Sequence, residues 1–351
     1  MIQQAIRSLI TGHNLSEEVV SHSVKEIIDE TATPAQIGAL LMGLTLKGET
    51  AEEIASFAST LREYSIRIYP RVQGRLIDTC GTGGDMSGSF NVSTLAAFVA
   101  AGAGAKVAKH GNRSVSSRCG SADLLERLGV NIFLTPEESR RSIEEIGVGF
   151  LFAPSFHPAL KKVAGIRKEL GIRTVFNLMG PLLNPAPIRG QLMGVHSESL
   201  VEVMAGALKR MGVEEALVVH GLEGLDEISV INSTKISWLK DGKITTRKYI
   251  PEELGVKRYT GCYERISDVD HGASVALGVL NNTAEGITQD MVVVNAAAAL
   301  VVSGLVDRFD DGCELAKHSI KSGAAMKKLE QLVKFTGGDT ERLKYIAKNA
   351  T

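Results

Sequence analysis

One strand-to-helix junction constrains this chain more than any other feature of its sequence. The apolar run 76–77 predicts a short strand, and it stops at the glycine-rich stretch Gly81-Thr82-Gly83-Gly84. Glycine lets backbone N–H groups approach an anion closely because no Cβ blocks the way. The alanine-rich segment 93–101 predicts a helix whose first turn would direct unpaired N–H donors and a positive dipole at the same place. The junction therefore predicts a phosphate or pyrophosphate site.

Similar chemistry follows the next predicted strand, residues 106–108. That strand leads into Lys109 and His110 and then into a loop of glycine, amide, arginine and serine side chains. Strand, helix and strand in this order predict a βαβ unit with both loops at one edge of a parallel sheet. The glycines of segment 102–105 lie between a helix and a strand, the reverse of a dinucleotide-binding fingerprint, so we interpret them as a helix stop. No P-loop sequence is present.

The first seventy residues carry only helix signals. Segment 2–10 predicts a helix, a second is expected to begin near Ser16, and a third is bounded by Thr33-Pro34 and Gly48. Thr50 opens a capping box for a fourth. This pattern predicts a small N-terminal α-helical domain over residues 1–70.

After Pro70 the pattern changes to β-type runs separated by helical segments. The runs are 76–77, 106–108, 149–152, 191–195 and 216–219. Such alternation predicts an α/β domain over residues 71–351, with a mainly parallel central sheet flanked by helices. Asp241-Gly242 predicts a hairpin between 235–240 and 243–249, and the tail from residue 291 is helical in pattern.

Composition narrows the classes of function. A net charge of −1 over 351 residues, with no basic tail, argues against nucleic acid as a partner. Charge or glycine interrupts every apolar window before about 18 residues, which argues against a membrane span, and the N-terminus lacks the pattern of a signal peptide. Four cysteines without metal-site spacing predict reduced thiols and a cytoplasmic location.

Several motifs together resemble the anthranilate phosphoribosyltransferase family, and the resemblance spans nearly the whole chain. The matching segments are 81–85, 91–94, 109–113, 116–117, 120–123, 167–174, Asn177, 180–185, 220–221 and 224–227. The resemblance implies transfer of a phosphoribosyl group from phosphoribosyl pyrophosphate to anthranilate, the second step of tryptophan biosynthesis. It also implies Mg²⁺ as the cofactor, with about two ions per monomer. A homodimer joined through the helical domain is implied too, with a hinge between the domains and hinge-region helices near 160–185 that could join that interface.

The resemblance carries a set of site residues onto this sequence. Those expected to contact phosphoribosyl pyrophosphate are Gly81, Gly84, Asp85, Ser89, Asn91, Val92, Ser93, Thr94, Lys109, His110, Gly111, Asn112, Arg113, Ser114, Val115, Ser116, Ser117 and Ser121. Those expected at the metal are Ser93, Asp226 and Glu227. An Asp-Glu pair on a loop is usually only solvated, so it is the resemblance that assigns Asp226 and Glu227 to Mg²⁺. A plainer role, satisfying the loop backbone, stays open for Ser116 and Ser117.

The acceptor contributes a flat ring, a carboxylate and a weakly basic amine. Arg167 is expected to hold the carboxylate through its planar guanidinium, and Asn112 to orient the amine. Gly81 completes the acceptor positions that the resemblance carries over, and His110 and His157 are expected to line the acceptor channel. Asn112, Arg167 and His110 are the residues assigned to catalysis. No general base is assigned, because a nearly neutral aromatic amine can lose its proton after the C–N bond has formed.

The sequence departs from the family at Gly165, where members often carry proline. Glycine there would loosen the backbone ahead of Arg167. Two other functions stay open at this point: a related pyrimidine nucleoside phosphorylase, and a nucleic-acid-binding paralogue without transfer activity. The acidic pair Asp226-Glu227 favours the transferase over a phosphorylase, which has no pyrophosphate to hold. The net charge of −1 disfavours a nucleic-acid-binding protein.

Overall fold

The structure is a computed structural model, and it describes residues 1–85, 87–114 and 118–349. Its helices are α1 (Ile2–Ile10), α2 (Glu17–Ile28), α3 (Pro34–Lys47), α4 (Ala51–Glu63), α5 (Val92–Gly102), α6 (Ser121–Arg127), α7 (Pro136–Ile146), α8 (Ala153–Phe156), α9 (Lys161–Leu170), α10 (Leu200–Arg210), α11 (Val269–Leu280), α12 (Ile287–Ser303), α13 (Phe309–Lys321), α14 (Ala324–Phe335) and α15 (Thr340–Asn349). Its strands are β1 (Leu76–Asp78), β2 (Lys106–Gly111), β3 (Val148–Phe152), β4 (Gly190–Gly194), β5 (Glu215–Gly221), β6 (Thr234–Lys240) and β7 (Lys243–Tyr249).

Local capping chemistry explains where the N-terminal helices begin. The Thr33 side chain accepts a hydrogen bond from the Gln36 N–H at 3.3 Å, and the Gln36 side-chain oxygen accepts one from the Thr33 N–H. Thr50 and Glu53 form the same reciprocal pair ahead of α4. Each box satisfies two backbone donors that a helix end would otherwise leave unpaired. The four helices predicted over residues 1–70 are therefore confirmed.

The central sheet is mainly parallel, as predicted. Its strand order in the described chain is β3-β2-β1-β4-β5-β6-β7. Strands β1 to β5 pair in parallel, and β6 and β7 add the predicted hairpin in antiparallel fashion. The predicted fold class is thus confirmed. β1 lies between β2 and β4, so the chain winds outward in both directions from the β1–β4 pair.

Strand β2 is longer than the sequence pattern predicts. The prediction ended it at residue 108, before Lys109 and His110, and began the following loop at Gly111, which is wrong. These three residues pair with residues 150–152 of β3. The partner strand is buried along its whole length, so pairing continues for as long as it offers hydrogen-bonding groups.

The hydrophobic interior lies on both faces of the sheet. One face packs on α5 and on α11 to α14, and every residue of α12 from 291 to 303 is buried. The other face packs on α10 and continues into the N-terminal helices and α9. Ile37, Leu40, Leu41 and Leu44 are buried in this second cluster, so they contribute to an interior that the helical segment shares with the sheet. Among the described residues no helix combines the length and apolar character needed to cross a lipid bilayer.

Gly194 is expected to tolerate no side chain. It ends β4, and a Cβ there would overlap the backbone carbonyl oxygen of Asp226. Gly194→Ala should therefore displace the 224–227 loop and lower the free energy of unfolding by about 1–3 kcal/mol. Gly165→Ala is the matched control, since a Cβ at this position inside α9 has no neighbour within 4 Å and alanine favours helix. Thermal melting of both variants tests this; an unchanged melting temperature for Gly194→Ala would contradict it.

Candidate active site

The predicted phosphate loop lies at the point where the order of the strands reverses. β1 has β2 as its neighbour on one side and β4 on the other. The loops after β1 and β4 therefore diverge. Ligands of open α/β sheets bind in the crevice outside the carboxyl ends of strands at such a point. The loop after β5, which carries Asp226 and Glu227, reaches the same crevice, as its hydrogen bonds to the glycine loop show.

The glycine loop is held by the loops after β4 and β5. The Thr82 N–H donates to the Gly194 carbonyl at 2.9 Å, and the Gly83 N–H donates to Asp226 Oδ2 at 3.0 Å. Gly83 and Gly84 have φ values of 63° and 79°, a backbone conformation that glycine adopts readily. Gly81 lies so close to Gly194 that an added Cβ would be 3.0 Å from its carbonyl oxygen. Glycine is thus required here for conformation and for close packing.

Three carboxylates meet at this loop. Asp85 Oδ2 accepts the backbone N–H of Asp226 at 3.4 Å, and Glu227 Oε1 accepts the backbone N–H of Ser93 at 3.1 Å. Burial raises the pKa of both Asp226 and Glu227 above the usual carboxyl range, and mutual repulsion among the three groups raises these pKa values further. A site that brings together two partly buried carboxylates and one buried one in this way suits a cation.

The donor set fits Mg²⁺ held jointly with a substrate. Mg²⁺ takes oxygen ligands, keeps several waters and commonly uses one or two carboxylates together with substrate phosphates. Among the described residues no three His, Cys, Asp or Glu side chains are arranged to enclose a metal by themselves. The residues that would reach such an ion are Asp226, Glu227 and the Ser93 hydroxyl.

The first turn of α5 has its N–H groups occupied. Val92 donates to the Phe90 carbonyl, Ser93 to Glu227 and Thr94 to the Asn91 carbonyl. The prediction that this turn presents unpaired donors is therefore wrong for these three groups, because Glu227 takes the place of an anion at the positive end of the helix. Polar side-chain atoms are free instead: Asn91 Oδ1 and Thr94 Oγ1 are buried and have no hydrogen-bond partner within the described part of the chain.

Lys109 is buried. The residue is only 4% exposed, because it lies within β2. Its Nζ donates to the Thr79 carbonyl at 3.3 Å and to Ser93 Oγ at 3.5 Å. Lys109 makes no ion pair with any residue that the structure describes, so its charge remains available to an anion at the crevice.

The loop after β2 is organised around Asp123. Asp123 Oδ2 accepts the backbone N–H groups of Ser114 and Gly120 at 2.9 and 3.0 Å. Arg113 pairs with Asp123 and Glu126 at 3.0 and 2.7 Å, so its guanidinium is committed to α6. This pairing differs from the substrate contact expected of Arg113.

Two other predicted loop residues bond to the loop itself. Asn112 Oδ1 accepts the Arg113 N–H at 2.8 Å, and Ser121 Oγ donates to the Asn112 carbonyl at 3.3 Å. Gly111 leaves no space for a side chain, because a Cβ would overlap Ser121 and Phe150. The predicted residues Val115, Ser116 and Ser117 lie outside the described part of the chain.

His110 and His157 lie together behind this loop. Their rings are in an edge-to-face arrangement with centroids 5.3 Å apart, and His110 Nδ1 lies 2.9 Å from the Gly180 carbonyl, to which it donates. Burial lowers the pKa of His110 to about 3 and that of His157 to about 4, so both rings are neutral near pH 7. Nε2 of each ring is buried and has no hydrogen-bond partner among the residues that the structure describes. A neutral, partly unsatisfied pair suits a polar aromatic ligand better than a proton-transfer role.

Arg167 lies on α9 with its guanidinium 5.4 Å from the ring centroid of Phe176. Burial lowers the pKa of Arg167, and no other group opposes that shift. Its guanidinium makes neither a hydrogen bond nor an ion pair with any described residue. A half-buried guanidinium without a counter-charge is suited to bind a carboxylate from a ligand.

Sequence reasoning missed residues that cover or support the glycine loop. The segment 265–266 contacts the residues that follow this loop: the Ile266 N–H donates to the Gly88 carbonyl at 3.1 Å, and Ser89 pairs with Arg265. No sequence signal marks that segment. Arg173 donates to the Gly84 carbonyl, and Asp78 and Asn184 form a buried pair beneath the loop. A charged residue ending an apolar strand, as Asp78 does, was a signal that could have been used.

Comparisons with known proteins agree with this geometry. A family model described as "Glycosyl transferase family, helical bundle domain" matches residues 3–65, and one described as "Glycosyl transferase family, a/b domain" matches residues 73–326. The anthranilate phosphoribosyltransferase of Persephonella marina is 46% identical over 338 residues, which cover 96% of this chain and 100% of that protein.

Solved structures of anthranilate phosphoribosyltransferases are also similar to the structure of this chain. Anthranilate phosphoribosyltransferase from Thermus thermophilus superimposes with a TM-score of 0.88 and 40% identity, covering 95% of this chain and 99% of that one. The enzyme from Saccharomyces cerevisiae, solved in complex with phosphoribosyl pyrophosphate and Mg, has a TM-score of 0.85 and 28% identity, covering 96% of this chain and 98% of that one. Two family models match this chain, and the Persephonella marina enzyme is 46% identical to it over nearly its whole length. This chain therefore belongs to the anthranilate phosphoribosyltransferase family.

Proposed function

We propose that this protein transfers the phosphoribosyl group of phosphoribosyl pyrophosphate to the amine of anthranilate. The products are N-(5-phosphoribosyl)anthranilate and pyrophosphate, which is the second step of tryptophan biosynthesis from chorismate. The observation that carries the proposal is the meeting of the glycine loop with Asp226 and Glu227 at the reversal point of the sheet, in a chain of this family. The reaction breaks the bond from the anomeric carbon to pyrophosphate, forms one to nitrogen and releases an amine proton.

Stabilising the leaving group is the first task of such a site. The sugar carbon gains oxocarbenium character as pyrophosphate departs, so charge builds up on the phosphate oxygens. Bound Mg²⁺, about two ions per monomer, would neutralise that charge. The residues proposed to hold it are Ser93, Asp226 and Glu227, and Lys109 adds a fixed positive charge beside Ser93.

The donor is proposed to lie along the glycine loop and the start of α5. Donor contacts are assigned to Gly81, Gly84, Asp85, Ser89, Asn91, Val92, Ser93, Thr94, Lys109, His110, Gly111, Asn112, Ser114, Val115, Ser116, Ser117 and Ser121. The orphaned oxygens of Asn91 and Thr94 support this assignment, because ribose hydroxyls would satisfy them. Arg113 is assigned a donor contact as well, and its pairing with α6 supports an additional role in shaping the loop.

The acceptor is proposed to lie between α9 and the two histidines. Arg167, the guanidinium without a counter-charge, binds the carboxylate, while Asn112 orients the amine and Gly81 leaves space for the ring. His110 and His157 remain neutral, so they line the channel by contact and hydrogen bonding rather than by charge. Proton loss then follows C–N bond formation and needs no dedicated base.

Removing the acidic pair should abolish most of the activity. Asp226→Asn with Glu227→Gln keeps the shape of both side chains but removes the charge that attracts Mg²⁺. We expect kcat to fall at least about 100-fold, since leaving-group stabilisation is the major electrostatic contribution. Anthranilate consumption, followed by fluorescence with phosphoribosyl pyrophosphate and Mg²⁺, measures it. The control is Asp310→Asn with Asp311→Asn, an adjacent exposed pair on α13. Near-normal turnover of the first variant at saturating Mg²⁺ would contradict the metal assignment.

Removing the guanidinium of Arg167 should affect one substrate selectively. We expect Arg167→Ala to raise KM for anthranilate far more than KM for phosphoribosyl pyrophosphate, because a charge-assisted contact of about 2–3 kcal/mol is lost. Lys168→Ala removes a neighbouring exposed cation from the same helix and should leave both KM values unchanged. Equal effects of Arg167→Ala on the two substrates would show that Arg167 has a structural role.

The proposal includes a homodimer that forms through the N-terminal helices. It also includes a hinge between the helical segment 1–70 and the α/β segment 71–351, and a cytoplasmic location. Exposed apolar side chains on α1 and α3 support the interface: Ile10 and Leu46 are 78% and 79% exposed. These helices pack against each other, and their apolar surface would be covered by a second copy. The crevice between the segments would close by hinge motion.

Charge placed on that surface should separate the subunits. Leu46→Glu is expected to convert a dimer into a monomer, whereas Leu305→Glu, at an exposed apolar position after α12, should leave it a dimer. Light scattering at micromolar concentration measures the mass of each variant. An unsubstituted chain that is monomeric and fully active would refute the interface.

A further inference from the structure

Asp78 is a charged side chain in the interior of the protein, at the carboxyl end of β1. It has no exposed surface, and burial raises its pKa to about 6 although Lys109 opposes the shift. Burying a carboxylate costs several kcal/mol unless other groups satisfy it. None of the functions assigned so far uses Asp78, so its cost calls for an explanation.

The carboxylate joins the ends of two neighbouring strands. Oδ1 accepts the backbone N–H of Thr79 at 2.7 Å and that of His110 at 3.3 Å. Oδ2 accepts the Asn184 amide at 2.7 Å, and the same amide nitrogen donates to the Ala108 carbonyl at 2.8 Å. The end of β1 and the end of β2 are therefore tied together at the level where their loops begin.

Thr79 connects the Asp78 carboxylate to the donor site through hydrogen bonds. Its carbonyl accepts from Lys109 Nζ at 3.3 Å, and its hydroxyl donates to the Ser93 carbonyl at 2.8 Å. Fixing the Thr79 peptide thus fixes both the lysine ammonium and the first turn of α5. Only a carboxylate offers two acceptor oxygens here, because an amide would place an NH₂ group against the amide of Asn184.

We propose that Asp78 is a positioning residue for phosphoribosyl transfer. Without touching either substrate, it aims Lys109 and the Ser93 turn at the pyrophosphate through the Thr79 peptide. Small displacements of groups that stabilise a leaving group are costly, since a shift of about 1 Å can lower the rate about 100-fold. The inference rests on the proposed function.

The test compares Asp78→Asn with a buried carboxylate elsewhere. Glu53 is 2% exposed and accepts from Lys47, the Leu15 N–H and the Thr50 N–H, so Glu53→Gln is a matched loss of a buried charge in the helical segment. Each protein is assayed for kcat, for both KM values, for calorimetric affinity toward inorganic pyrophosphate with Mg²⁺, and for thermal melting. We expect Asp78→Asn to lose about 100-fold in kcat and to bind pyrophosphate more weakly, with KM for anthranilate unchanged. Glu53→Gln should lose stability alone.

Other results would overturn the inference. A folded Asp78→Asn protein with kcat within about twofold of the unsubstituted chain would do so, and so would an equal loss of kcat in Glu53→Gln. If Asp78→Asn does not fold, the double variant Asp78→Asn with Asn184→Asp returns a carboxylate to the same pair. Folding without activity in that variant supports positioning by Asp78, whereas full activity or failure to fold overturns it. Absence of transfer by the unsubstituted chain would instead refute the proposed function itself.

Discussion

Parallel pairing of β1 with β2 on one side and with β4 on the other is the constraint on which the rest of the structure depends. β1 has only three residues, yet all of them are buried. Because its neighbours run in the same direction, the loops after β1, β2, β4 and β5 leave the sheet at one edge. Under the proposed function, the described donor-site residues belong to the loops after β1 and β2, to the helices that follow those loops, or to the end of β2 itself.

This edge of the sheet carries opposed charges at close range. Burial raises the pKa values of Asp226 and Glu227, and repulsion from Asp85 raises both of them further. Lys109 and Asp78 lie just beneath, where the two charges moderate the cost of burying each other. Under the proposed function, Mg²⁺ and pyrophosphate complete this arrangement, since the cation meets the carboxylates and the anion meets the lysine. The protein thereby prepares the electrostatic environment before the leaving group carries charge.

The acceptor side depends on the interior that the helical segment shares with the sheet. Phe57 of α4 packs edge to face on Phe176 at 5.2 Å, and Arg167 lies over the same ring. α9 thus connects the helical segment to the proposed carboxylate site. Gly165, where relatives often have proline, lies inside α9 with open space around it, so the departure leaves these contacts intact.

The sequence by itself determined the elements whose causes are local. Capping boxes at Thr33 and Thr50 set helix starts, apolar runs marked the strands, and the glycine loop marked the proposed phosphate site. The reason is that a cap or a turn involves residues only a few positions apart. The family resemblance also identified Asp226 and Glu227, which periodicity alone would have left as a solvated pair.

Tertiary structure alone decided which of these groups meet and which stay free. Ser93 bonds to Glu227 across 134 positions, and Asp78 to Asn184 across 106. Lys109 and His110 pair with β3, so they lie in a strand and are buried. The guanidinium of Arg113 pairs with a carboxylate of α6. Burial then lowered the pKa of His110 and raised that of Glu227. Local sequence cannot report such outcomes, because desolvation and long-range hydrogen bonds exist only once distant segments have packed together.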